Sequence, residues 1–357
     1  MRLLLSTRKG LITYQRSAQG WRYEGVHFLG IPVTLTHIDR RNGHWWACLD
    51  HGHWGCKLHV SRDEGKHWEE VTAPQYPAGL EMKKDTPAAL RYLWAFAEGG
   101  AAEPDMLYVG TEPGGLFRSK DGGQNFELVE SLWQHPSRED HWFGGGRDYA
   151  GIHSIVVDPH DAQHLYIGIS CAGVFESTDA GENWAVRNQG LRADFLPDPF
   201  TEVGHDPHLL LNCPSQPEVM WQQNHCGIFK STDGAKNWQD VTDREGPAKF
   251  GFTIAVADDN PDMAWVVPGI SDEIRVAVDQ ALTVCRTDDG GQSWRDFRQG
   301  LPQEACFDIV YRHALDVASQ TLVFGTTTGN VFYSNDLGES WELLSHTLPM
   351  VYAVHLA

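Results

Sequence analysis

The sequence predicts an all-β fold, a seven-bladed β-propeller of four-stranded antiparallel blades that holds residues 1–357 as a single domain. Three observations predict it. A short turn signature recurs six times at intervals of about fifty residues. The stretches between copies repeat the same succession of short apolar runs. The two chain ends carry complementary parts of one further repeat.

The signature reads Ser/Thr-x-Asp-x-Gly-x-x-aromatic. Its copies are Ser61/Asp63/Gly65/Trp68, Ser119/Asp121/Gly123/Phe126, Ser177/Asp179/Gly181/Trp184, Ser231/Asp233/Ala235/Trp238, Thr287/Asp289/Gly291/Trp294 and Ser334/Asp336/Gly338/Trp341. The aromatic positions 68, 126, 184, 238, 294 and 341 are separated by 58, 58, 54, 56 and 47 residues, a period suited to propeller blades. The residue types suit a tight hairpin: Ser and Asp oxygens accept from nearby backbone N–H groups, and Gly supplies the positive φ that other residues resist. The aromatic ring then anchors the turn by burial.

This pattern resembles the Asp-box, or BNR, repeat of sialidases, sortilin-type receptors and several seven-bladed glycosidases, and the resemblance spans nearly the whole chain. It implies a propeller and, more loosely, a glycosyl-hydrolase-like or sialidase-like activity, because one propeller scaffold hosts unrelated functions. The box residues themselves read as turn devices rather than catalysts.

Taken in order, residues 1–26 form a worn seventh copy. Gly10-Leu11-Ile12 precedes Trp21 as Gly115-Leu116-Phe117 precedes Phe126, but Arg16 and Ala18 replace the box Asp and Gly. Blade 4 shows the strand pattern most clearly, with runs at 152–158, 164–169, 173–177 and, after the box, 184–187. Innermost runs in the other blades fall at 35–40, 92–98, 208–213, 253–258 and 308–312. The first unit lacks an innermost run, and residues 350–356 supply an unmatched one. The two ends are therefore expected to complete one blade and so remove the exposed sheet edges. Long connections at 73–90, 131–151, 189–207 and 269–281 leave the blades at the ends opposite the boxes, where antiparallel alternation places them.

Composition narrows the functions. The formal charge of −20 argues against nucleic acid and anionic membrane surfaces as partners. Seven cysteines in an odd count without a CxxC pair read as reduced core thiols. The opening run Leu3-Leu4-Leu5 is too short for a signal segment and no stretch reaches membrane-span length, so a cytoplasmic protein is expected.

Aligning the innermost strands yields a ring of His37, Trp94, His153, His208, Thr253, Asp308 and Tyr352 or Ala353. His37, His153 and His208 are thus candidate ligands for a divalent transition metal, although the polar lining of a water-filled channel is the favoured reading of the same ring. A second polar concentration falls in the turns between second and third strands: Asp50, His51, His53, Glu112, Gln222, Gln223, Asn224 and His225. Together with Trp142, Tyr149 and Phe195 it suits the rim of a ligand pocket.

The sialidase pattern fails at a specific place. Gly30-Ile31-Pro32 stands where an Arg-Ile-Pro sequence is expected, and the three-arginine cluster is not identifiable. A two-carboxylate hydrolase, as in seven-bladed xyloglucan-type enzymes, remains open. The candidate catalytic residues are Asp148, Asp194 and Asp308 with Arg147 and Tyr149. The candidates for ligand contact are Trp142, Asn224, His225, Glu273 and Arg275. Three functions follow: a binder or hydrolase of a carbohydrate or similar small polar ligand, a metal-dependent enzyme using axial histidines, and a non-catalytic propeller that docks a protein.

Overall fold

Each Asp-box closes the turn between the third and fourth strands of its blade by the same hydrogen bonds. The Ser or Thr hydroxyl donates to the box carboxylate at 2.6–2.9 Å in all six copies. That carboxylate accepts from the backbone N–H four residues on, as from Asn125 at 2.9 Å and Ser340 at 3.0 Å. The hydroxyl oxygen accepts the N–H of the box glycine, 2.8 Å at Gly123.

Two consecutive residues of each box have left-handed backbones, not one. Gly123 has φ 86° and Gly122 φ 70°, and the latter position is occupied by Glu64, Ala180 and Leu337 at φ 57–60° in three other copies. The box glycine also meets a second need. A Cβ at Gly123 would lie 2.2 Å from the Trp46 ring, and one at Gly291 2.6 Å from Val241, side chains of the preceding blade. Blades therefore pack through the glycine, and Arg118 and Arg286 fasten the contact by donating to the Ala180 and Leu337 carbonyls of the next box at 3.0 and 2.9 Å.

The computed structural model describes residues 1–83 and 85–357, so that Lys84 of the 73–90 connection lies outside the described residues. Among the described residues the chain forms seven four-stranded antiparallel sheets, the blades of a β-propeller, and one small two-stranded hairpin. No helix among them is long and apolar enough to cross a membrane.

Two compact units are distinguishable, one of Met1–Thr36 with His208–Ala357, the other of His37–Pro207. In the first, the chain ends share a blade. Strand Val351–Leu356 pairs antiparallel with Arg2–Thr7, which pairs with Gly10–Ser17 and then Gly20–His27. The core of this unit gathers Leu3, Leu5, Trp265, Phe324, Trp341 and Val351, all under 5% exposed. In the second unit Tyr108, Leu132, Ile152, Ile167 and Phe175 form a comparable core.

Strand boundaries match the sequence pattern within one to three residues in most blades, and Tyr92–Glu98 and Gly173–Ser177 match at both ends. The last blade differs. Its first strand is Leu315–Ala318, joined to Thr321–Gly325 by a two-residue turn at Ser319 and Gln320, so residues 308–312 lie outside the sheet. Two alternating stretches compete there, and the one that closes a tight hairpin wins because its loop is shorter. The 131–151 connection contains two four-residue helices, Glu130–Trp133 and Arg138–His141. Residues Gln222, Gln223 and Asn224 end the strand Gln216–Asn224 instead of forming a rim loop, and all three are almost completely buried.

Candidate functional site

In the His37–Pro207 unit the innermost strand Tyr92–Glu98 and its neighbour Leu107–Glu112 bring Tyr92 opposite Glu112. Burial of Glu112 leaves its carboxylate needing a partner. Arg147, from the 131–151 connection, supplies it: its Nε donates to Glu112 Oε2, while the guanidinium lies 4.2 Å above the Tyr92 ring and 5.4 Å from that of Trp94. The two rings meet edge to face at 5.9 Å. Gly151 admits Trp94 to this position, for a Cβ there would come within 2.5 Å of the indole.

The same connection continues into Asp148 and Tyr149. Arg91 sits 4.9 Å above the Tyr149 ring and 3.7 Å from the exposed Asp148 carboxylate. The result is a partly exposed platform of three aromatic rings and two guanidinium groups, each guanidinium opposed by one carboxylate. His153 packs edge-on to Trp94 at 5.7 Å, and its Nδ1 hydrogen-bonds Ser154 Oγ at 2.9 Å.

The remaining candidates of this unit serve other surroundings. Trp142 is 7% exposed, packs on Phe175 at 5.3 Å and donates from Nε1 to Ser137 Oγ, which makes it part of the core beneath the connection. Asp194 is exposed and pairs with Arg192 at 3.4 Å. His37 forms an ion pair with Glu98 and tilts against Phe96. Burial pushes the Glu98 carboxyl up, but the hydrogen bond and charge of His37 outweigh it and bring it down to about 2.

In the other unit His208 is buried, stacks on Phe252 at 4.7 Å and donates from Nδ1 to the Gly251 carbonyl at 2.6 Å. His225, in the turn after the strand Gln216–Asn224, faces it with ring centroids 5.7 Å apart, and its Nε2 is 3.6 Å from Asp272. Asn224 is committed internally, its amide donating to Gln222 Oε1 and its carbonyl oxygen accepting from Cys226 N–H. Glu273 and Arg275 are exposed, with the Arg275 guanidinium 5.4 Å from Phe252. Asp308 is buried and accepts from Thr328 and Asn330, bracing the turn beyond Thr321–Gly325.

Arg91 and Tyr92 are the residues of the platform that the sequence pattern leaves unassigned to any site. The Tyr92 signal is weak: an aromatic at the start of an innermost strand resembles many core aromatics. Glu112, Trp94 and Arg147 are each visible in the sequence but not as partners, because the pairing joins a cross-strand neighbour to a connection 35 residues away.

No family model matches the chain. A xyloglucanase of Acetivibrio thermocellus is 23% identical over 323 residues, covering 82% of this chain and 37% of the relative. An oligoxyloglucan-reducing end-specific xyloglucanase of Emericella nidulans is 26% identical over 217 residues, covering 58% of this chain and 24% of the relative. The chain thus spans about a quarter to somewhat over a third of the length of these curated relatives. Among solved structures, an ancestral GH74 enzyme superposes with a TM-score of 0.60 at 16% identity, covering 87% of this chain and 38% of that one. The structure of YCF48 bound to D1 peptide superposes with a TM-score of 0.53 at 15% identity, covering 88% and 83%. Both likenesses are likenesses of fold.

Proposed function

We propose that the protein is a carbohydrate-binding propeller whose ligand lies on the Tyr92/Trp94/Arg147/Glu112 platform, and that Asp148 is the carboxylate through which it hydrolyses that ligand. The observation that carries the reading is the Arg147 guanidinium, held over the Tyr92 ring and near that of Trp94 by a buried carboxylate. Aromatic faces accommodate the apolar face of a sugar ring, and a fixed guanidinium fork offers paired donors to neighbouring hydroxyls. Each positive charge on the platform is opposed by a negative one, which suits a neutral sugar better than an acidic one. The xyloglucanases among the relatives, although only distantly similar, make xyloglucan oligosaccharides the first ligands to test. Asp148 faces solvent, where a carboxylate can activate water as a general base. The seven cysteines are free thiols, as a reducing cytoplasm maintains them.

Isothermal titration with xyloglucan oligosaccharides, alongside a reducing-sugar assay, tests this. Arg147→Ala should weaken binding at least about tenfold; it also leaves the buried Glu112 carboxylate without its partner, so the melting temperature should fall by several degrees and binding is measured well below it. Asp148→Asn should retain binding and lose turnover. Binding unaffected by Arg147→Ala would overturn the placement, and absence of turnover in the wild type with intact binding would reduce the proposal to a binding protein.

A further inference from the structure

The outer edge of blade 3 lies outside the carbohydrate reading. Its fourth strand, Glu127–Leu128, ends the sheet and, among the described residues, pairs on one side only, through Glu127 with Arg118 and Leu128 with Phe117. The next residue, Val129, donates its N–H to the Leu116 carbonyl at 2.8 Å, so hydrogen-bonded pairs fall at Glu127 and Val129. By the alternation of an antiparallel ladder, Leu128 between them turns its own N–H and carbonyl outward, toward the open edge. That leaves a donor and an acceptor at the spacing an added strand uses.

An open cavity of about 490 Å³ runs beside this edge, and its lining comes from both faces of the strand. The two faces differ in chemistry. On one, Phe126 and Leu128 stand with Gln75 and Pro77, which flank Tyr76 where it packs on the Phe117 ring at 5.0 Å. On the other, Arg118 donates to Glu127 at 2.8 Å and to Glu182 of the next box at 3.2 Å, and Lys120 lies 2.9 Å from Glu127. Glu130 also lines the cavity, so three carboxylates share two cations and the local excess is negative. Phe126 keeps the apolar side open: the other five boxes carry the larger Trp at this position.

We propose that this edge receives an extended, basic segment of a partner protein, which adds to the sheet as a fifth strand. Its alternate side chains then fall on the two faces of the cavity, an aliphatic one against Phe126, Leu128 and Pro77 and an arginine or lysine among Glu127, Glu130 and Glu182. Backbone pairing at Leu128 sets the register. Charge selects this occupant over a second copy of the chain, because a surface of net charge −20 repels its own copy and attracts a positive strand. The box carboxylate of Asp121 takes no part, being committed to its own turn.

The test uses the full chain and a fluorescein-labelled Thr-Val-Arg-Val-Thr amide, with binding read by fluorescence anisotropy at about 0.15 M salt, where long-range attraction is largely screened. Replacing the peptide's arginine by glutamine should weaken binding about tenfold. Methylating both valine nitrogens, which removes the donors facing Leu128, should abolish it. On the protein, Phe126→Trp should weaken binding at least about tenfold by narrowing the apolar side, with little change in melting temperature because five boxes already hold Trp. Glu130→Lys should weaken it about fivefold, and Glu139→Lys, exposed on the helix Arg138–His141, should not. Equal losses from Glu130→Lys and Glu139→Lys would reduce the attraction to general charge and overturn the site, as would undiminished binding of the methylated peptide or a wild type that binds none of the peptides. A dimer in sedimentation that Phe126→Trp dissolves would place a second copy on the edge and overturn the basic partner. Each result stands apart from the Arg147 platform, whose binding is measured with sugar alone.

Discussion

The box turns at one end of the blades and the connections at the other are built from opposite materials. A box turn commits its carboxylate to itself: that of Asp121 alone accepts from Ser119, Gln124 N–H, Asn125 N–H and the Asn125 amide. The bond from the Ser or Thr hydroxyl to that carboxylate recurs in all six copies. The connection carrying Arg147, Asp148 and Tyr149 occurs once, and its side chains reach outward to groups on neighbouring strands. Repetition is affordable where a turn has only to be made, whereas chemistry requires a group that the other blades lack. The boxes should therefore respond to mutation in stability, and the connections in binding.

The largest expected effect is on the box side. Trp341 is 4% exposed, packs on Phe324 at 4.9 Å and donates to the Gly338 carbonyl, so Trp341→Ala should cost about 3–5 kcal/mol. Trp184, at the equivalent position, is only half-buried, which lowers the expected cost of Trp184→Ala to about 1–2 kcal/mol. Denaturant unfolding of both variants measures the difference. Equal losses would mean that the turn bonds, not ring burial, set the contribution of the aromatic.

The propeller was legible in the sequence because a repeat reports itself six times, and a weak local signal becomes strong on multiplication. Both ends of the shared blade were visible for the same reason, as parts missing from the count. What stayed hidden is what happens once. The first strand of the last blade depends on a competition between two neighbouring alternations, which no other copy arbitrates. The first left-handed position of the box escaped notice because Glu64, Ala180 and Leu337 occupy it, and none of them signals positive φ. The buried run from Gln222 to Asn224 reads as a polar loop until its strand partner at Gly227–Ser231 is seen. Of the candidate sites, Arg147 and Asp148 were visible as residues, but the rings and carboxylate facing them are distant in sequence, and pairings of that kind leave no pattern.

Acid sharpens the comparison further. All six box aspartates titrate below the usual carboxylate range. In Asp63 and Asp121 the hydrogen bonds from His67 and Asn125 lead, bringing each to about 2; in Asp179 the hydrogen bonds from Asn183 lead and lower it; in Asp233, Asp289 and Asp336 burial pushes up and the turn bonds outweigh it. A carboxyl depressed on folding contributes stability above its unfolded value near 4, and that contribution disappears as pH falls toward the folded value. Melting temperature should therefore hold down to about pH 4.5 and drop between there and pH 2, with Glu98 adding to the fall. Asp121→Asn should melt below wild type at pH 7 and approach it near pH 2. A constant gap between the two across that range would mean that the Asp121 charge contributes nothing and the turn is held by geometry alone.

The smallest effect probes the first left-handed residue of the box. Ala180 sits at φ 57°, where a Cβ crowds the following carbonyl at a cost of roughly 1–2 kcal/mol. Glycine removes that strain but gives up roughly 0.5–1 kcal/mol through the greater freedom of the unfolded chain. Ala180→Gly should accordingly stabilise by about 0.5 kcal/mol, and the same turn in blade 3, where Gly122 already stands, shows that the geometry tolerates it. The Ala180 carbonyl still accepts from Arg118, so the contact between blades survives the change. If Ala180→Gly destabilises instead, the methyl group contributes packing that outweighs its strain, and the box sequence at this position is selected by the neighbouring blade and not by the turn.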